Sequence, residues 1–493
     1  MTRLDRESLG HLKAGAVGPA YDSAAHGTGI VHLGCGNFHR AHQAVYTDDA
    51  LAKSGGDWRI ASVSLRSTDI ADAMNPQDGL FTLVEAGPEG PKARVIGSIA
   101  KVIAAARESC AVVEALSDPA IRIVTITVTE KAYGIDRAVM DIDEGHSAIA
   151  ADLENPREPS GVIGLLVEGL RRRFDAGLEP FTVLCCDNLP ENGQILRAGV
   201  AGFARRVDPA LAERIAEEVA FPSSMVDRIT PASTDETFST AERLTGLEDK
   251  AAVETEPFLQ WVIEDHFPQG RPDWEAGGAL FVDDVAPYEA MKLRMLNGAH
   301  SMLAYAGFLA GHTFVRDVMA DADLASLVRR HLSAAAGTLD PLPGIDLDQY
   351  ADDLAARFAN PAIGHRTYQI AMDGSEKLPQ RIVAPALDAL DRGQSIRPFA
   401  FAIAAWMRYC LGRTEEGDAY ELRDPRDVEI VRRVEQSGDA AQALVVNLLA
   451  LPGVFDRRFA ANASVRSTIE EIISTMIEEG IGEAIRREVS AGP

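Results

Sequence analysis

Cysteine is scarce in this chain. Five occur in 493 residues, at Cys35, Cys110, Cys185, Cys186 and Cys410, and none falls in a CxxC or CxxH spacing. That excludes a zinc ribbon or a disulfide scaffold and fits a reducing cytoplasm. Positive charge is also short: 48 Lys and Arg face 74 Asp and Glu, a net charge of −26. A surface that binds phosphate backbones or anionic lipid needs the opposite balance, so neither nucleic acid nor a membrane is expected as a partner. No uninterrupted apolar run reaches about 18 residues, the length of a spanning helix. The opening "MTRLDRESLGHLKAG" has no apolar core of a secretory leader. What remains is a small-molecule partner met by a few local positive charges, in a chain expected to be cytoplasmic.

The length calls for more than one core. Residues 29–34, 58–66, 121–134 and 181–193 read as apolar or β-branched strands ending in polar loops, with helical stretches between them. Strand alternating with helix predicts a parallel, doubly wound α/β sheet. After about residue 285 strand signals nearly vanish. Helical patterns take over at 288–308, 317–336, 347–358, 397–411, 425–450 and 465–488. The expected organisation is therefore a Rossmann-type dinucleotide-binding domain over 1–285 and a mostly α-helical substrate and catalytic domain over 286–493.

"GCGNFHR" follows the first strand and opens a helix. Glycines at 34 and 36 permit a tight turn and a close approach of backbone to pyrophosphate. The third glycine of GxGxxG is replaced by His39, and Asn37, Phe38 and Arg40 stand where small residues are usual. After the second strand, Asp69 can accept hydrogen bonds from an adenosine ribose and repel a 2′-phosphate, or serve as a helix N-cap. Arg66 lies close to it and favours the phosphate. The expected cofactor is NAD, with NADP possible, and the expected contacts are Gly34, Gly36, Asn37, Phe38, Arg66 and Asp69.

"YEAMKLRMLNGAHSMLAYAG" (288–307) is an apolar helix carrying Glu289, Lys292, Asn297 and His300. At about 100° per residue, with Lys292 at zero, the other three fall at about 60°, about 140° and about 80°. A polar strip in an apolar helix is costly to bury without partners, so it faces solvent or lines a cleft. A cleft at the start of the second domain suits alcohol oxidation. Lys292 can take the hydroxyl proton if its pKa falls, Asn297 can stabilise an alkoxide-like oxygen, Glu289 can pass the proton to water and His300 can orient substrate. No metal is needed. Asn188 in "CCDNLPENG" lies beyond a strand end, where α/β sheets bind ligands, and can grip the same oxygen as Asn297 across an interdomain cleft. Its bland alternative is an Asx turn. Asp227 in "MVDRITP" can bond a substrate hydroxyl or pair with Arg228.

Together "IVHLGCGNFHRAHQA", "VTEKAY", "CCDNLPENG", "FPSSMVDRITP", "EPFLQWVIEDHF", "KLRMLNGAHS" and "IAMDGSEKLPQR" resemble the polyol-specific long-chain dehydrogenases, the mannitol dehydrogenase family. The resemblance implies metal-free NAD(P)-dependent chemistry at C2 of a hexitol or sugar acid. It implies a catalytic lysine at Lys292, oxyanion amides at Asn188 and Asn297, a substrate-binding histidine at His300 and a relay at Glu289. It also implies hydroxyl contacts from Asp227 and Lys377, and a monomer.

Two departures bear on the substrate. Mannitol 2-dehydrogenases are similar to one another in carrying an arginine where this chain has Gln369, and a glycine where it has Lys131. "HRTYQIAMDGSEKLPQR" is more similar to the mannonate/fructuronate oxidoreductase branch. Lys131 and Arg366 can each meet a carboxylate, although Lys131 can also be a surface residue paired with Glu130. The favoured reaction is D-mannonate to D-fructuronate, with D-mannitol to D-fructose as the alternative. A short-chain dehydrogenase reading of Tyr288-x3-Lys292 lacks that family's TGxxxGxG turn. A ligand-binding regulator with a dead site has no use for the lysine, asparagine and histidine set.

Overall fold

The computed structural model describes residues 2–438 and 440–491. The chain divides into two compact units, Met1–Ala286 and Pro287–Pro493.

The first unit is built on five parallel strands, β1 (Thr28–Leu33), β2 (Arg59–Ser64), β3 (Ile99–Ala104), β4 (Ile123–Ile126) and β5 (Thr182–Cys185), with helices α1 (Asn37–Ala41) and α2 (Gln43–Ser54) between β1 and β2. Their spatial order is β3-β2-β1-β4-β5, the doubly wound order of a Rossmann-type sheet. Alternate side chains feed two apolar layers. Val31, Leu33, Val63, Val124 and Ile126 enter one, while Ile30, Ile60, Val102, Ile123 and Leu184 enter the other. A sheet covered on both faces must be apolar on both, which is why these strands read as nearly continuous hydrophobic runs.

The α/β sheet expected from the strand and helix alternation is present, with shorter strands than the pattern gave. The 121–134 stretch yields four strand residues, because its polar end becomes a loop and the 3-10 turn Glu130–Ala132. Several strands escaped the pattern. Ile99–Ala104 completes the central sheet, Phe81–Gly87 pairs with Gly90–Ile96 as a hairpin, and Ser224–Asp227 pairs with Gln260–Glu264 in a separate small sheet.

In the second unit, helix α3 (Gly298–Leu309) packs against α4 (Arg397–Tyr409) and against Ala322–Gly337. Both α3 and α4 are buried along nearly their whole length, which is why neither shows a clean polar face. Three expected helices are each two. The 425–450 pattern breaks at Gly438 and 465–488 at Gly480, both with positive φ. The 317–336 pattern breaks at Asp321, which caps the next helix by accepting from the Asp323 and Leu324 amides. Among the described residues no helix is long and apolar enough to cross a membrane.

Candidate active site

The glycine turn is held from beneath by a polar seam in the sheet. His32 of β1 stands in register with Ser62 of β2 and Thr125 of β4. Its Nδ1 lies 2.7 Å from Thr125 Oγ1, and its Nε2 lies 2.8 Å from Thr127 Oγ1 and 3.0 Å from the Gly34 carbonyl. Gly34 has φ +110°, and a Cβ there would stand 1.8 Å from the Thr127 carbonyl oxygen. Only glycine fits.

His39, where the third glycine of the fingerprint would sit, is fully buried. It stacks on His32 and puts its Nε2 3.0 Å from Ser62 Oγ. A small residue there lets helix and strand approach; here an imidazole fills the gap and finds polar partners. Burial drives His32 down to about 3 and His39 well below its ordinary value, so both rings are neutral.

The residues after the turn are committed to structure. The expected helix is a five-residue piece, Asn37–Ala41, interrupted at His42 before Gln43–Ser54. Asn37 Nδ2 donates to the Pro231 carbonyl and to Ser233 Oγ at 3.0 Å each, and Asn37 Oδ1 accepts from Arg40 at 2.6 Å. Phe38 stacks on His42 at 4.9 Å. Above Gly36 the space is open: an added Cβ would meet its nearest atom, the Gly34 carbonyl oxygen, at 3.9 Å. A backbone stripped of side chains at an exposed turn beyond β1 fits a dinucleotide pyrophosphate. Arg66 and Asp69 are both exposed beyond β2. Asp69 is the first residue of its helix rather than the cap, and its amide donates to Ser67 Oγ at 3.0 Å.

Beyond β5, Asn188 is exposed in a turn fixed by its neighbours. Asp187 accepts from the Val128 amide at 3.0 Å and from the Tyr133 hydroxyl, which also lies 3.2 Å from Cys185 Sγ. Burial pushes Asp187 up to about 6. Asn192 donates to the carbonyls of Asp187 and Ser224 and accepts from the Ser224 amide. Asn192 thus ties this loop to the strand that ends at Asp227. Asp227 is buried at the end of its strand. Arg228 pairs with Glu85 rather than Asp227, and donates to the carbonyls of Ala41 and Glu256. Lys131 is exposed, and Glu130 pairs with Arg137, not with Lys131.

In the second unit the polar strip does not lie on an α-helix throughout. Ala286–Met291 is α, Lys292–Asn297 is π, and α3 follows. The Gly298 amide donates to the Leu293 carbonyl, five residues back. This corrects the angles taken from 100° per residue. In an α-helix, Lys292 and Asn297 diverge; in a turn closed at i→i+5, residue i+5 comes round towards residue i. Lys292 is 7% exposed, and Glu289 and Asn297 are half-buried.

A second π turn, Pro379–Val383, packs on the first, and the Ala384 amide donates to the Pro379 carbonyl. The two approach at Gly298, where a Cβ would come 2.9 Å from the Arg381 carbonyl oxygen. Tyr288 of the Tyr-x3-Lys pair donates to the Pro343 carbonyl at 2.7 Å.

His300 is buried against Phe358, ring centroids 4.5 Å apart, with His365 edge-on at 5.5 Å. Burial, and then His365, Arg357 and Arg381, drive His300 far below its ordinary value; burial and then Arg357 and Lys377 lower His365. Lys377 follows the Asp373 turn (φ +56°) and donates to the Met372 carbonyl at 2.6 Å, with Asp373 at 3.5 Å. Burial and Arg381 lower it. Gly374, between them, seats on the Trp406 indole. Arg366 is exposed, its guanidinium 5.2 Å above the Phe314 ring. His365 and Arg381 were not singled out from the sequence, although Arg381 lies four residues past Lys377, on the same helical face.

A glycine turn at the end of β1 in a 3-2-1-4-5 sheet defines a Rossmann-type nucleotide-binding unit. Residues 28–276 match the mannitol dehydrogenase Rossmann domain, and residues 284–477 the mannitol dehydrogenase C-terminal domain. The D-mannonate oxidoreductase of Escherichia coli K12 is 42% identical over 95% of this chain and 97% of its own. A mannitol 2-dehydrogenase of Cereibacter sphaeroides is 38% identical over 96% of this chain and 98% of its own. The mannitol 2-dehydrogenase of Pseudomonas fluorescens, solved with NAD and D-mannitol, superposes with a TM-score of 0.81 at 36% identity over 100% of both chains. The chain belongs to the mannitol dehydrogenase family of oxidoreductases.

Proposed function

We propose that the protein interconverts a secondary alcohol and a ketone at C2, counted from the ketose end (C5 of the aldonate), of a hexose-derived sugar acid, D-mannonate to D-fructuronate, with NAD. The observation that carries this reading is the π turn that brings Lys292 and Asn297 towards one face, with His300 in the next turn. A bound nicotinamide supplies the hydride acceptor in one direction and the donor in the other. Lys292, held in a largely dry setting, takes the proton of the C2 hydroxyl. The amides of Asn297 and Asn188 donate to the oxygen as charge gathers on it. Glu289 passes the proton from Lys292 to water. His300, kept neutral, offers a fixed donor or acceptor to a substrate hydroxyl, and Asp227 and Lys377 hold others. The backbone at Gly34 and Gly36 lies along the pyrophosphate, with Asn37 and Phe38 shaping the turn. Asp69 accepts from the ribose, which favours NAD; Arg66 beside it leaves NADP as a second cofactor. Lys131 and Arg366 are exposed candidates for the incoming carboxylate. The identity to a D-mannonate oxidoreductase and Gln369 in place of arginine support the acid; identity to mannitol 2-dehydrogenases supports D-mannitol as the second reading.

The test is turnover of mannonate, mannitol, arabinitol, sorbitol and altronate with both cofactors, followed at the NADH band. Lys292→Ala is expected to lower kcat by about 10³-fold or more while cofactor still binds. A near-normal rate would remove Lys292 as the base.

A further inference from the structure

Arg381 is a half-buried guanidinium with little to bind. Its side chain leaves the second π turn, and among the described residues it donates one hydrogen bond, from Nη1 to Ser301 Oγ at 3.4 Å. That is at the long limit for such a bond, and a guanidinium carries five N–H donors. The nearby carboxylates are engaged elsewhere. Asp373 faces Lys377, and Asp424 accepts from the Ser375 amide at 2.8 Å and hydroxyl at 2.5 Å. Burial first, and then His365, Arg357 and Arg381, lower His300; burial and then Arg357 and Lys377 lower His365; burial and then Arg381 lower Lys377. His365 Nδ1 is buried and makes no hydrogen bond. In a chain of net charge −26, a guanidinium in a secluded site with unused donors calls for an anion from outside.

We infer that Arg381 receives the carboxylate of an open-chain sugar acid. This rests on the dehydrogenase reading above and gives its substrate a fixed end. Ser301, which Arg381 reaches, donates to the Asn297 carbonyl at 3.0 Å, one helical turn back. A turn rises about 5.4 Å, comparable with the reach of a hexose chain from its second carbon to its last. In fructuronate three carbinols separate the ketone from the carboxylate. With the ketone at Asn297, the carboxylate falls at Arg381. Lys131 and Arg366 are in water, where a single ion pair contributes little; a guanidinium in a dry site binds a carboxylate bidentately and strongly.

Two measurements test this. One is kcat/KM for reduction of fructuronate and of fructose. The other is calorimetric binding of D-mannonate and D-mannitol to enzyme loaded with NADH, which cannot oxidise them. Arg381→Met is expected to lower kcat/KM for fructuronate and affinity for mannonate by about 100-fold, with the neutral sugars changed less than about threefold. Arg381→Lys should recover about tenfold of the loss, keeping charge without the fork. Equal losses on acid and neutral substrates mean a scaffolding role and overturn the inference. So does an unchanged preference, or a preference that follows Lys131→Gly instead. If the parent enzyme reduces neither ketone but binds mannonate through Arg381, the anion site stands and the dehydrogenase reading falls. If it reduces both and Arg381→Met leaves their ratio alone, the dehydrogenase reading stands and the anion site falls.

Discussion

The imidazole of His39 lies flat on that of His32, with ring centroids 3.4 Å apart and planes 8° from parallel. One ring comes from the first strand, the other from the helix that follows the glycine turn. This stack, rather than a third glycine, sets the distance between strand and helix. His39→Gly should therefore leave a cavity and lower stability by about 2–4 kcal/mol. A melting temperature equal to that of the parent would show that the helix collapses onto the strand without loss.

Both rings also make stability depend on pH. Their basicity is depressed by burial, His32 to about 3, so the folded chain refuses protons that the unfolded chain accepts below about 6.5. Their contribution is complete above that pH and is lost as pH falls towards their folded values. Asp187, raised to about 6, works in the opposite sense, so the comparison must be with a variant. His39→Gln should flatten the slope of unfolding free energy between pH 6 and 5 by about 1.4 kcal/mol per pH unit. An unaltered slope in urea titrations would mean that His39 is charged in the native state.

Gly34→Ala places a methyl group against the Thr127 carbonyl at a φ that side chains avoid. We expect a loss of about 3 kcal/mol or more, and weakened dinucleotide binding in whatever protein folds. Full affinity by fluorescence titration would argue that the nucleotide lies elsewhere.

Gly298→Ala pushes the two π turns apart at the Arg381 carbonyl. A shift of order 1 Å at Lys292 and Asn297 should reduce kcat on the order of 10²-fold. Cofactor affinity, which depends on the other unit, should stay put. Circular dichroism would check that the helices survive; unchanged turnover would show that the spacing of the two turns is not critical.

The sequence exposed the sheet because a doubly covered sheet writes itself as apolar strands, and "GIVHLG" and "FTVLCC" do so plainly. It hid Ile99–Ala104 because "IAKVIA", interrupted by Lys101, shows neither clean alternation nor an unbroken apolar run. Lys292, Asn297 and His300 stood out as polar groups in an apolar run, yet their mutual placement did not. A π turn leaves no mark in hydrophobic periodicity, so an α-helical wheel puts Asn297 at the far end of the polar strip, about 140° from Lys292. The His32 and His39 pair is half visible: His39 is the wrong residue for its place, but the polar partners, Ser62 for His39 and Thr125 for His32, are brought there only by the strand register of His32. Arg381 and His365 were passed over because each sits among ordinary polar residues, and what marks them is their seclusion.

The seat of Gly374 on the Trp406 indole has an optical corollary. The other three tryptophans, Trp58, Trp261 and Trp274, belong to the first unit, so replacing them with phenylalanine leaves a lone emitter against Gly374, three positions before Lys377 in the chain. With oxidised nicotinamide, which does not absorb where the indole emits, its quenching would follow sugar occupancy of the helical unit and let substrate arrival be timed apart from hydride passage.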